Sequence, residues 1–216
     1  LRVVFSEDQG SRGRINVIER RCGRHSSELK ILLDSIHKKD KINLRKVTAI
    51  LDKYGWLGPD VIGEEGNSTL FLVVQHADLM TQKKYLPMLR NAVNQRNAYP
   101  HQLALLEDRI AIGQGKKQIY GSQLKRDSIT GEYSLEPIED EINVNRRRAG
   151  VGLEPIEEYV KYWEIEYSLD KSTSDFFEDR DSKYKAKRVI VHYEFYFFLV
   201  VMLLLGTITL VLKIRK

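Results

Sequence analysis

Cysteine is nearly absent: Cys22 is the only one in 216 residues. No internal disulfide can form, no cysteine pair exists to hold a structural zinc, and redox usage says nothing about compartment. Helix-borne zinc sites need histidines four residues apart, and His25, His37, His76, His101 and His192 offer no such pair. No metal is expected, and the sequence does not name a cofactor. Cys22 sits among Arg20, Arg21 and Arg24 but belongs to no nucleophile motif, so it is not read as catalytic. Internal repeats and low-complexity tracts are missing too. So is a phosphate-cradling P-loop, because residues 113–123 (GQGKKQIYGSQ) lack the Lys-Ser/Thr pair and follow a helical pattern instead of a strand.

A surplus of one charge sign is also missing from most of the chain. The formal net charge is +5, yet seven of the 35 Lys and Arg and only one of the 30 acids lie in residues 183–216. That leaves 28 bases and 29 acids in residues 1–182, a net charge of −1. A nucleic-acid surface is excluded by that balance. The basic excess belongs to a different setting.

That setting is an eighteen-residue run without a charge, residues 195–212 (FYFFLVVMLLLGTITLVL). About 17–25 apolar residues in a helix cross a hydrocarbon core of about 30 Å. Lys183, Lys185, Lys187 and Arg188 precede the run, and Lys213, Arg215 and Lys216 follow it. Tyr193 and Tyr196 stand where an interfacial aromatic belt belongs, and the bases suit anionic headgroups. The expectation is a single-pass C-terminal transmembrane helix over 189–213 and a lipid bilayer as partner. A basic tail follows at 214–216, and a polar tether at 168–188 precedes the span.

Residues 1–167 read as one mainly α domain with a small β-hairpin. Leu29, Leu32, Leu33 and Ile36 have helical spacing, and a second helix is expected over residues 40–54, capped by Asn43 and ended by Gly55. Asn67 or Ser68 is expected to cap the next helix, and further helices fall over 82–95 and 101–112. Residues 117–124 and 133–138 read as strands, and two short helices follow over 143–149 and 155–163.

Chemistry concentrates where polar side chains interrupt apolar helices. Gln75, His76 and Asp78 interrupt a helix that is apolar nearly all round. In a regular helix His76 and Asp78 point to nearly opposite sides, so His76 needs a partner from elsewhere. Asp108 and Arg109 lie in an apolar stripe with Leu105 and Ile112 and could supply it. Such residues are costly there unless paired, so structural ion pairing or backbone anchoring is the alternative reading. In QIYGSQ, strand alternation would set Gln118, Tyr120 and Ser122 on one hydrogen-bonding face. The remaining histidines read as surface residues, and Arg146 to Arg148 suit the last turn of a helix.

Together GWLG (55–58), LVVQHAD (72–78), LALLEDRIAI (103–112), GKKQIYGSQ (115–123), PIEDEINVNRRRAGVGL (137–153) and PIEEYV (155–160) resemble a bacterial family of uncharacterised proteins. The likeness covers roughly residues 5–165 and includes a DQxxR start at Asp8, Gln9 and Arg12. It implies that Gln75, His76, Asp78, Asp108, Arg109, Gln118, Tyr120, Gln123, Asp140 and Arg147 are signature polar positions. No activity follows from it. The expected function is a hydrolase or transferase acting on a polar small molecule or peptide. His76 would be general base, Asp108 its orienting group and Arg109 the oxyanion contact, with Gln75, Gln118, Tyr120 and Gln123 binding ligand. The alternative is a non-catalytic membrane-bound ligand-binding or sensing module.

Overall fold

The computed structural model describes residues 1–167; the expected tether, membrane span and basic tail lie outside the described residues. Among those residues no helix is long and apolar enough to cross a membrane. The chain forms α1 (Arg2–Arg12), α2 (Ile15–Cys22), α3 (Ser27–Tyr54), α4 (Pro59–Gln75), α5 (Leu79–Asn94) and α6 (Pro100–Gly113). After these come β1 (Leu124–Arg126), β2 (Tyr133–Leu135), α7 (Val144–Gly150) and α8 (Ile156–Lys161). The architecture is mainly helical with one two-stranded antiparallel sheet.

Helix α4 is the central element. Every residue from Gly66 to Val74 is buried, and α1, α3, α5 and α6 pack around it. A helix apolar on all faces has no solvent side to offer, so it becomes the core. Val47, Leu51, Leu70, Phe71, Val74, Tyr85, Leu89 and Leu106 meet there. Burial of one such side chain contributes about 1.5–3 kcal/mol.

Three local expectations are corrected. Residues 27–54 form one helix instead of two, because nothing between Ile36 and Leu44 breaks a helix and Leu29, Leu32, Ile36, Asn43, Val47 and Leu51 share its buried face. Ser26 caps it, accepting from the Leu29 N–H at 3.2 Å, while Asn43 sits fully buried in its middle. Helix α4 starts at Pro59, with a break at Gly63 (φ 72°), so Asn67 is no cap. Its Nδ2 donates to the carbonyls of Leu57 (2.8 Å) and Asn97 (2.7 Å) and ties two loops to the core. Residues 117–123 are not a strand. A single parallel bridge joins Gln118 to Ile138, and ladder pairing is confined to Leu124 to Arg126 against Tyr133 to Leu135.

The segment after α6 has its own small core of Ile138, Val144, Ile156 and Val160. Gly55 ends α3 with φ 72°, as its position after Tyr54 predicts.

Candidate functional site

The sequence QHAD (75–78) makes the corner between α4 and α5. Gln75 is the last residue of α4, His76 its C-cap and Asp78 the N-cap of α5, accepting from the Thr81 N–H at 2.8 Å. Gln82 Nε2 donates to the carbonyls of Gln75 (3.0 Å) and Ala77 (2.9 Å), satisfying groups that the helix end leaves open. Because the helix stops at Gln75, the opposition of His76 and Asp78 expected for a regular helix does not arise. Both line one cleft.

That cleft has a volume of about 380 Å³. It is lined by Asp8 of α1, by His76, Ala77 and Asp78 of the corner, by His37, Asp40, Lys41 and Leu44 of α3, and by Val73 of α4. A second hollow of about 470 Å³, beside Tyr54, Trp56, Asn91 and Asn97, has no carboxylate, imidazole, amine or guanidinium in its lining. The carboxylates, imidazoles and amine are in the first.

The carboxylate beside His76 is Asp8. His76 Nδ1 lies 3.2 Å from Asp8 Oδ1, and the Asp8 side chain is 2% exposed against 19% for His76. Asp8 is in turn held on its other side. Gln9 Nε2 donates to Asp8 Oδ2 at 2.6 Å, and Arg12 Nη1 lies 3.2 Å from Asp8 Oδ1. Burial pushes the Asp8 carboxyl up, but His76, Arg12 and Gln9 together outweigh it and hold it below the usual carboxylate value. An ionised Asp8 can only accept, so His76 Nδ1 donates to it. The buried carboxylate thereby orients the His76 ring at the edge of the cleft.

Asp108 is elsewhere, and this corrects the expected pairing. Its carboxylate is fully buried and accepts from the backbone N–H groups of Ile119 (2.7 Å), Tyr120 (3.0 Å) and Ser122 (2.9 Å). The anion thus organises the turn after α6, the backbone-anchoring alternative weighed above. Gln118 is buried with it. Its Nε2 donates to the carbonyls of Gln123 (3.0 Å) and Glu136 (2.7 Å), and its Oε1 accepts from the Gln123 N–H (2.7 Å). Gln123 Nε2 donates to Ser122 Oγ at 2.9 Å. The row expected on a strand face is therefore a network folded around Asp108.

Arg147 and Asp140, also signature positions, brace the same turn: Arg147 Nε donates to the Ile119 carbonyl at 2.8 Å and Nη1 pairs with Asp140 at 3.1 Å. Gln75, Asp108, Arg109, Gln118, Tyr120 and Gln123 do not line the cleft with His76. Asp8, Asp40, Lys41 and His37 do, and the sequence reading did not weigh them as site residues. The available signal was Asp8 and Arg12 four residues apart, two charges on one helix face. His101, expected at the surface, is half-buried: it stacks on Tyr99 with ring centroids 5.5 Å apart, and burial pushes its pKa down to about 4.

Among the described residues no group of three or more potential metal ligands is assembled. The chain belongs to the family of unknown function DUF6624, whose pattern matches residues 5–172. No curated protein and no solved structure matches it.

Proposed function

We propose that this member of the family is a hydrolase or transferase for a polar small molecule or peptide, with His76 as general base. The observation that supports it is His76 Nδ1 held 3.2 Å from the buried Asp8 carboxylate at the wall of an open cleft. With Nδ1–H donated to Asp8, Nε2 takes a proton from water or a substrate hydroxyl as that oxygen attacks. Asp8 stabilises the imidazolium, and the proton then passes to the leaving group. Such assistance contributes roughly 10²–10⁴-fold in rate. Lys41 and His37 at the rim offer cationic and hydrogen-bonding contacts for a polar substrate. On the same proposal, residues 195–212 hold the domain at a membrane.

A panel of chromogenic esters, phosphoesters and amides tests the chemistry. Turnover should fall about 10²–10⁴-fold in His76→Ala and substantially in Asp8→Asn, both variants melting as folded proteins. Ligand binding without turnover, unchanged by either substitution, would sink the enzyme reading in favour of the binding module. Alkaline carbonate extraction tests the anchor: the full chain should stay with the membrane pellet, and release into the supernatant would refute it.

A further inference from the structure

The hollow of about 470 Å³ takes no part in the proposed chemistry, and among the described residues its lining shares none with the His76 cleft. The run Gly55-Trp56-Leu57-Gly58, which joins α3 to α4, supplies four of its lining residues. The last turn of α5 and the residues just beyond it supply Asn91, Gln95 and Asn97. Asn67 ties the two sides together, because its Nδ2 donates to the carbonyls of Leu57 at 2.8 Å and Asn97 at 2.7 Å. Gly58 packs so closely here that an added Cβ would fall 2.7 Å from Asn97 Oδ1. The walls are thus held in place by the fold itself.

Among the described residues no carboxylate, imidazole, amine or guanidinium lines this hollow, so nothing in it repays the desolvation of an ion. Its polar side chains are the three amides and the Tyr54 phenol, and each amide carries two N–H donors and an acceptor oxygen. The bonds the amides make with one another are weak: Gln95 Nε2 to Asn91 Oδ1 and Asn97 Nδ2 to Gln95 Oε1 are both 3.5 Å, the outer limit of hydrogen bonding. Trp56 is 6% exposed, and its indole N–H has no acceptor among the described residues, a cost that native proteins seldom leave uncompensated. Tyr54, 58% exposed, adds an aromatic ring; Lys53 Nζ lies 4.8 Å from the centre of that ring but does not line the hollow. The volume is within the range of about 300–1,000 Å³ usual for small-molecule sites.

We propose that this hollow binds a neutral sugar of one or two rings. A hydroxyl both donates and accepts, as a side-chain amide does, so one amide meets two adjacent hydroxyls. The C–H face of a sugar ring lies against aromatic surface, here that of Tyr54. A carboxylate or phosphate would enter without a counter-charge, and a hydrocarbon would leave the amides without partners. Discrimination against both follows from those two costs. The site stands apart from the catalysis proposed for His76, because the two linings are separate.

The experiment uses the full chain carrying Trp163→Phe, in a non-ionic detergent without a sugar headgroup. Trp163 packs on Tyr133 and does not line the hollow, so the substitution leaves Trp56 as the only tryptophan and its emission as the reporter. Glucose, N-acetylglucosamine, maltose and cellobiose are titrated separately, with cyclohexanol, acetate and inorganic phosphate as controls. At least one sugar should bind with a Kd below about 10 mM and shift the Trp56 emission. Asn91→Ala with Gln95→Ala should weaken that binding about 10-fold or more through lost hydrogen bonds. Both side chains are exposed, so the double variant should melt within about 2 °C of its parent.

Failure of every sugar to bind more tightly than about 10 mM overturns the proposal. So does equal affinity in parent and double variant, which would put any sugar elsewhere on the molecule. Cyclohexanol bound as tightly as the sugars would make the hollow a merely apolar cavity, and phosphate or acetate binding that is lost with the amides would make it an anion site; either refutes hydroxyl recognition. His76→Ala separates this site from the proposed function. Its sugar affinity should equal that of the parent whether or not turnover is lost, and a weakened affinity would place the sugar in the His76 cleft instead.

Discussion

Arg12 meets Asp40 fork to fork, Nη1 to Oδ1 at 3.0 Å and Nη2 to Oδ2 at 2.9 Å. The pair joins α1 to α3 across twenty-eight residues of chain, and both side chains are 21% exposed. Because Arg12 also touches Asp8, it fixes the depth at which α1 presents Asp8 to His76. Removal of Arg12 should therefore act on stability and on the dyad together. Arg12→Ala is expected to cost about 2–3 kcal/mol, between the limits for exposed and buried pairs. Arg12→Lys should cost about 1 kcal/mol through loss of the fork. Urea denaturation measures both, and equal midpoints for the three proteins would contradict the structural role.

Asp108→Asn separates anchoring from catalysis. Asparagine offers one acceptor oxygen where three backbone N–H groups now share two. The expected loss is about 3 kcal/mol, from unsatisfied buried donors and a lost charge-assisted set. Amide hydrogen exchange should quicken first at Ile119, Tyr120 and Ser122. A variant with native exchange there and no turnover would instead give Asp108 the orienting role expected from the sequence.

Gly121 offers a steric test of the same turn. Its φ is 69°, and an added Cβ would fall 2.3 Å from Ile156 Cδ1 and 2.8 Å from Ile138 Cδ1. The left-handed backbone and the overpacking together should make Gly121→Ala less stable by about 2–4 kcal/mol. A melting temperature within a degree of wild type would show that the two isoleucines give way freely.

The pH dependence has a definite sign. His101 has its pKa lowered to about 4 by burial, against about 6.5 when unfolded, so the unfolded chain binds the extra proton first. Its effect on stability is absent above about pH 6.5, and stability falls as pH drops from there toward 4. His101→Phe should flatten that limb of a urea midpoint against pH. Asp8 acts lower on the scale: its depressed carboxyl contributes above about pH 3.9 and is lost as pH falls through its folded value. Asp8→Asn should remove that acid limb and leave the His101 limb in place.

Much of the architecture was legible because it is local. The buried face of α3 follows from apolar residues at spacings of three and four, and Gly55 ends that helix because a left-handed residue is needed there. The all-round apolarity of residues 69–74 marks α4 as the core helix for the same reason. His76 stood out as a polar residue at the end of that run.

Only the tertiary structure decided which carboxylate meets His76. Asp8 lies sixty-eight residues away and Asp108 only thirty-two, and no periodicity within one helix encodes which distant helix packs beside it. The end of α4 at Gln75 then turned His76 and Asp78, apparent opposites on a helical wheel, into neighbours lining one cleft. Asp108 went to the backbone because the turn after α6 buries N–H groups that need an acceptor, and the nearest carboxylate satisfies them. Local sequence determines the elements and their buried faces; long-range packing determines which charged groups share a site, because it brings together residues whose separation along the chain carries no signal.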